Sequence, residues 1–318
     1  FRVPLHGRVR CGVRGLFAAR PSSDEGVPAP CFAAIMSAAG GDTDGGAYTT
    51  VDEMWAGFEG KDGRSTWYAA GTKYWEGQEA NINGVLGGYP ETHGPDLRES
   101  RRLLELLKRT DSPPGFGRCL DCGAGIGRVT SGLLQDIFEV VDLVEPNKRL
   151  LDTARQEVSQ KVAGEFICSS LETFTPQPDR YDVIWCQWVL LYLPDDDLLA
   201  FFRRCMKGLR RQGMIFVKEN VVLEGKWLLD KEDNSIARTD AQYREIFKQA
   251  GLEVVQSLQQ TCWPKDLIPV VMYALRPTAD SEATSPSKSE SVIAEQVKPP
   301  AKKTRRKDAD AVQKKPAV

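Results

Sequence analysis

Leu120-Asp121-Cys122-Gly123-Ala124-Gly125-Ile126-Gly127-Arg128 stands between an apolar, strand-like run and a helical one. Glycines in that setting permit a tight turn and let backbone come close to a ligand. The helix start that follows adds a dipole favourable to a carboxylate or phosphate. The spacing Gly123-x-Gly125-x-Gly127 departs from the dinucleotide fingerprint and points away from NAD. The next apolar run, Asp142-Leu143-Val144, closes on Glu145. An acid at a strand end there can accept hydrogen bonds from both ribose hydroxyls of an adenosine. An exposed helix-capping acid is the alternative for Glu145 taken alone. The glycine turn and the spaced acid together read as a site for S-adenosylmethionine.

Three further stretches carry groups with chemical potential. Asp182-Val183-Ile184-Trp185-Cys186-Gln187-Trp188-Val189 is an apolar strand whose end should face the ligand crevice. Trp188 there is either an aromatic wall for a methyl sulfonium or a core tryptophan. Lys218-Glu219-Asn220 ends another strand, and Asn220 can fix an amine with its side-chain carbonyl. Leu229-Asp230-Lys231-Glu232-Asp233-Asn234-Ser235 follows, and Asp230 and Asp233 form either an acidic pocket for a cationic substrate or a solvated loop. The loop Asn83-Gly84-Val85-Leu86-Gly87-Gly88-Tyr89-Pro90 brings backbone close to something or simply connects two helices.

The elements that must position these groups alternate from about residue 118 onward. Strands are expected at Arg118–Cys122, Val140–Val144, Glu165–Cys168, Tyr181–Cys186 and Met214–Lys218. Helices are expected at Gly127–Leu134, Lys148–Val158, Asp195–Leu209 and Ala241–Gln249, the last stopped by Gly251. This alternation predicts an α/β fold, a parallel sheet with helices on both faces. Leu252–Leu258 and Val270–Leu275 read as a closing hairpin pair. Residues 48–78 and Asp96–Leu107 read as helical. The expected organisation is a disordered extension over 1–46, helices and a substrate loop over 47–98, the main domain over 99–276, and a disordered basic tail over 277–318.

With 318 residues, 41% hydrophobic and 27% charged, the composition is that of a globular protein. A net charge of −2 excludes a wholesale nucleic-acid binder, leaving only a weak contact through the tail. The first twenty residues carry five arginines and no acid, and the first methionine is Met36. They read as an upstream extension, with a transit peptide as the other reading. No apolar run approaches the length of a membrane span. Of the eight cysteines several lie in apolar strand-like runs and read as reduced core residues. Cys119 and Cys122 have CxxC spacing, but on a strand they face opposite ways, and no second pair completes a zinc site. No metal is expected.

DCGAGIGR, DVIWxQWV, the Lys218-x-Asn220 strand end, the Asp230-x-x-Asp233-x-Ser235 segment and Tyr74-Trp75 followed by GxLGGY together resemble the eukaryotic protein N-terminal Xaa-Pro-Lys N-methyltransferases, from about Tyr74 to Arg276. The resemblance implies a class I methyltransferase Rossmann-like sheet of seven strands, the last antiparallel, with a helical N-terminal extension. It implies methyl transfer from S-adenosylmethionine to a free α-amine. Gly123, Gly125, Arg128, Glu145, Leu171 and Gln187 would contact the cofactor. Trp75, Leu86 and Gly87 would shape the peptide channel, and Trp188 would pack on the substrate proline. Asn220 would hold the first residue, Asp230 and Asp233 would pair with the substrate lysine beside Ser235, and Asp233 would receive the amine proton. Two departures stand out: Tyr192 replaces a family histidine, and Ile268 replaces a peptide-contacting tyrosine. With only His6 and His93 in the chain, and neither expected in the core, no histidine base is foreseen.

A small-molecule N- or O-methyltransferase, or an inactive scaffold that binds N-terminal tails, would use the same fold. The basic cluster Lys302-Lys303-Thr304-Arg305-Arg306-Lys307 suits either nuclear import or a solubilising tail, and a nuclear and cytoplasmic location is expected.

Overall fold

The computed structural model describes residues 38–58 and 63–279. The basic cluster at 302–307, and Cys11 and Cys31, lie outside them. In chain order the elements are β1 (Gly40–Asp42), β2 (Ala47–Tyr48), α1 (Val51–Ala56), α2 (Gly63–Gly77), α3 (Ile82–Val85), α4 (His93–Leu107), β3 (Arg118–Cys122), α5 (Arg128–Gly132), β4 (Val140–Val144), α6 (Lys148–Glu157), β5 (Ala163–Ile167), β6 (Tyr181–Gln187), α7 (Asp195–Gly208), β7 (Leu209–Asn220), β8 (Trp227–Asp230), β9 (Ser235–Ala237), α8 (Asp240–Ala250), β10 (Leu252–Gln259) and β11 (Val270–Pro277).

Seven strands form the main sheet in the order β10-β11-β7-β6-β3-β4-β5. β3 to β7 run parallel, and β11 lies antiparallel to both neighbours. The expected α/β sheet and its closing antiparallel strand are therefore present. Alternate residues of each strand enter opposite cores. Ile184 and Cys186 of β6 pack with Phe201 and Phe202 of α7 and Tyr243 and Phe247 of α8. Val183 and Trp185 pack on the other face with Leu103, Leu104 and Leu107 of α4 and Leu151 of α6. Trp185 stacks on Phe216 of β7 at 3.6 Å between ring centroids. Cys119 and Cys122 likewise enter different cores. Cys186 and Cys205 are also buried, whereas Cys168 and Cys262 are exposed and do not belong to the core.

Two expectations need correction. The segment after β7 is not one loop but a hairpin, β8–β9, and the disorder expected over 1–46 does not reach 46, because Gly40–Asp42 already form β1. β1 and β2 add to that hairpin, giving a four-stranded sheet β2-β1-β8-β9. Its core joins Val51, Met54, Trp67, Trp227, Leu229 and Ile236. Gly40 makes this docking feasible, because a Cβ there would lie 2.1 Å from the Trp227 ring. The composition of residues 38–48, rich in glycine and acid, concealed a strand that only tertiary pairing selects. Among the described residues no helix is long and apolar enough to cross a membrane, and no cluster of three or more ligating side chains could hold a metal ion.

α8 starts at a full capping box. The Thr239 hydroxyl accepts from the Gln242 amide, and the Gln242 side chain accepts from the Thr239 amide. Gly251 ends the helix at φ 84°. Thr239→Ala should cost about 1 kcal/mol, read as a fall in Tm of about 2–4 °C, with S-adenosylmethionine affinity unchanged in a titration.

Candidate active site

A cleft opens over the carboxyl ends of β3, β4, β6 and β7, where the chain reverses its direction of travel across the sheet at β3 and β6. Ligand sites of open α/β sheets lie at such switch points. The cleft floor is the glycine turn. Gly123, Gly125 and Gly127 have φ of 67°, 56° and 74°, conformations that residues with side chains rarely adopt. A Cβ on Gly123 would lie 2.5 Å from Val189, and one on Gly127 2.9 Å from Val158. A Cβ on Gly125 would meet only Val85, in ordinary contact at 3.9 Å, so the floor has room above this glycine for a ligand. Glu145 caps this turn. Its Oε2 accepts from the Gly125 amide and its Oε1 from the Asn147 amide, both at 2.9 Å. Burial nevertheless pushes its carboxyl up to about 7. Asp121, buried beneath the turn, is pushed up to about 6 and accepts from the Thr130 hydroxyl at 2.6 Å.

Beside the turn lies a buried charge cluster that the sequence reading did not contain. Arg128 donates through Nη1 to Asp96 at 2.7 Å. Lys218 of β7 contacts the same carboxylate at 2.5 Å and also donates to Ser100 and to the Asp96 carbonyl. Gln187 donates to both Asp96 oxygens, at 2.8 and 3.0 Å. Burial disfavours the Asp96 charge, but Lys218 and Arg128 outweigh it and hold the carboxyl below its usual range. Among the described residues only Nη1 of Arg128 is engaged, so a second guanidinium edge is free for a ligand carboxylate. His93 opens α4, where it is half-buried and its Nδ1 lies 3.3 Å from Arg128, outside the buried cores as expected. It contacts Arg128 and does not line the cleft. The lysine inside Phe216-Val217-Lys218 was the available signal, since a lysine in an apolar central strand demands a buried partner.

The roof is α2. Trp67 donates to the Tyr192 carbonyl at 2.7 Å, Tyr68 to Asp197 at 2.6 Å, and Asn147 to the Trp75 carbonyl at 3.2 Å. These bonds hold Trp75 over the cleft, where Leu86 and Tyr89 also lie. Of the other expected residues Leu171, Gln187, Trp188 and Asn220 line the cleft. Trp188 sits at φ 53°, its turn pinned by Glu219, which accepts from the Val189 and Leu190 amides at 3.0 and 2.8 Å. Its ring lies 5.3 Å from the Arg128 guanidinium and 5.8 Å from Trp263, an aromatic wall residue the sequence reading missed. Trp263 and Asn220 both donate to the Ile268 carbonyl, at 2.9 and 3.3 Å, so position 268 contributes backbone where a tyrosine side chain was missing.

The acidic segment behaves differently from expectation. Asp233 is buried behind the cleft wall, and Tyr192, which does line it, donates to Asp233 Oδ2 at 2.8 Å. Asp233 Oδ1 has no partner among the described residues, and burial pushes the carboxyl up to about 6. Ser235 is buried against Asp233, while Asp230 closes β8 and accepts from the Glu232 amide at 2.9 Å. Asp230, Ser235 and Gly87 do not line the cleft. Gly87 instead takes φ 59° in the turn after α3, which aims Leu86 inward. The free glycine floor, the half-engaged Arg128 and the strand-end Glu145 fit the amino-acid and ribose ends of S-adenosylmethionine.

A family model described as AdoMet-dependent proline di-methyltransferase matches residues 63–276. Alpha N-terminal protein methyltransferase 1 of Arabidopsis thaliana is 40% identical over 253 residues, covering 76% of this chain and 91% of the relative. N-terminal Xaa-Pro-Lys N-methyltransferase 1-B of Xenopus laevis is 39% identical over 212 residues, covering 66% and 95%. A solved Leishmania major SAM-dependent methyltransferase superposes with a TM-score of 0.70 at 40% identity, covering 75% of this chain and 96% of that one. The chain belongs to the AdoMet-dependent proline di-methyltransferase family, AdoMet being S-adenosylmethionine.

Proposed function

We propose that the protein methylates the free α-amino group of protein N-termini, with Xaa-Pro-Lys as the sequence it accepts. The observation that carries this reading is the Tyr192–Asp233 hydrogen bond at the wall of the cofactor cleft. It places a buried carboxylate with one unpartnered oxygen next to the space an amine nucleophile would enter. When bound, S-adenosylmethionine supplies an electrophilic methyl group on a cationic sulfur.

The chain's own work is alignment and proton handling. An α-amine has a pKa of about 7.7–8.0, against about 10.4 for lysine, so a useful share is neutral at cellular pH. Holding that amine in line supplies much of the acceleration. Asn220 spends its side-chain N–H on Ile268 and keeps its carbonyl oxygen for the amine. Tyr192 does not replace the missing histidine as a base, because burial raises its phenol well above the ordinary range. It acts as a donor that fixes Asp233, and Asp233, directly or through a water, takes the proton. Asp230, Asp233 and Glu232 supply the negative field that suits a substrate lysine.

The first test is mass spectrometry on two hexapeptides that begin Ser-Pro-Lys, one free and one N-acetylated. Mass should rise in whole-methyl steps on the free peptide alone, and the number of steps counts the transfers. Gain on both would move the target to the lysine side chain. A second test is the pH–rate profile. The ionised form of Asp233 is the active base, so kcat/KM should fall as pH drops through about 6, below the limb set by the amine. Asp233→Asn should remove that lower limb and reduce turnover about a hundredfold or more, with cofactor affinity retained. Equal loss of cofactor affinity would refute the assignment.

A further inference from the structure

The hairpin β8–β9 carries four charged residues in a row at its turn, Asp230, Lys231, Glu232 and Asp233. Three are acids that crowd Tyr74: the Tyr74 phenol is raised first by burial and then by Asp233, Glu232 and Asp230. Tyr74 packs edge-on against Trp75 of the cleft roof at 5.3 Å, and Asp233 is bonded to Tyr192 of the cleft wall, so the acids stand behind the wall and roof without lining the cleft. None of the three makes an ion pair among the described residues, although Lys231 is their immediate neighbour in the chain. Lys231 is directed elsewhere. Its Nζ lies 2.9 Å from Asp44 and 3.8 Å from Asp42.

Asp42 and Asp44 belong to the β1–β2 ribbon, which lies outside the matched family domain of residues 63–276. The ribbon is built around the hairpin turn. β1 pairs with β8 in parallel, Gly40 opposite Trp227 and Asp42 opposite Leu229. Past the end of β1, Thr43 donates its amide to the Leu229 carbonyl at 3.0 Å and receives the Lys231 amide on its hydroxyl at 3.1 Å. Tyr48 stacks on Trp227 at 5.6 Å and donates to Asp42 at 2.9 Å. The Gly46 and Asp44 amides also donate to Asp42. A buried carboxylate so supplied with donors stays charged, which keeps a fixed anion on the outer side of the turn.

We propose that the β1–β2 ribbon is a positioning element for substrate recognition: Asp42 and Asp44 hold Lys231 on the outer side of the hairpin, leaving Asp230, Glu232 and Asp233 to read a cationic side chain of the substrate. Without the ribbon's acids the Lys231 ammonium would be free to swing toward Asp230 and Asp233 as an internal competitor for a substrate lysine. The ribbon therefore tunes selectivity and leaves the chemical step alone. This rests on the N-terminal peptide reading above.

The test uses the full chain and two free-amine peptides, one beginning Ser-Pro-Lys and the other Ser-Pro-Gln. Asp44 is largely exposed, so Asp44→Asn disturbs neither the Asp42 loop nor the core. It should raise KM for the lysine peptide about two- to fivefold, the range expected for one solvent-exposed ion pair, with kcat and the glutamine peptide unaffected. Asp44→Asn with Lys231→Ala carries the same net charge as the wild type and should restore the original KM. An equal change on both peptides, no change in Asp44→Asn, or no rescue in the double variant overturns the proposal. A wild-type enzyme that uses both peptides equally well overturns it too and leaves α-amine methylation standing. Failure of the wild type on both peptides removes the substrate reading itself, and the proposal with it.

Discussion

A buried carboxylate, Asp96, ties together the parts of this protein that must not move. It comes from α4, yet it is bonded to Arg128 at the head of α5, to Gln187 at the end of β6 and to Lys218 near the end of β7. Three elements of different sequence position thus meet at one pair of oxygens beneath the cofactor cleft. The cluster survives burial because each charge has a partner and further hydrogen bonds. Losing one partner of such a set costs about 3–5 kcal/mol, since a charge is left without compensation. The same bonds set the rotamers of Arg128 and Gln187, so the cofactor end of the cleft is shaped before anything binds there.

The opposite end works by withheld satisfaction. Glu219 pins the Trp188 turn through two backbone amides and leaves its other oxygen without a partner. Asp233 is held by Tyr192 on one oxygen and is unpartnered on the other. The Trp188 indole N–H is likewise unpartnered. Buried polar atoms without partners are costly in a finished core, and of these three residues Trp188 lines the cleft itself, where a polar ligand can satisfy its N–H. Burial raises Glu145, Asp121 and Asp233 into the range of about 6 to 7, where small changes in occupancy shift proton balance. That combination is a common mark of catalytic sites.

Much of this was visible in the residues. The glycine turn, the strand-end Glu145, Gln187-Trp188 and Asn220 all sit where strand–helix alternation put them, because the carboxyl ends of parallel strands must gather at one edge. Gly251 marked the end of one helix through backbone chemistry that depends on nearest neighbours alone. Other features were not visible. Asp96 looked like an ordinary first-turn acid, whose dipole role needs no partner. Trp263 sat in a hairpin connection with nothing local to aim it. Residues 40–46 looked like the end of a disordered extension, since a strand of three residues has no periodicity to detect.

The chain by itself determined the order of elements, the position of the glycine cradle and the residue types that could meet a cofactor and an amine. Those follow from short-range rules: dihedral freedom at glycine, alternation along a strand, and caps at helix ends. Tertiary structure decided which charges cancel and which remain available. Lys218 is spent on Asp96, Lys231 is drawn out to Asp44, and Tyr192 is bound to Asp233. Each pairing joins residues far apart in the sequence, and its energy depends on burial and on a separation of a few ångströms. Neither quantity exists until the chain has folded.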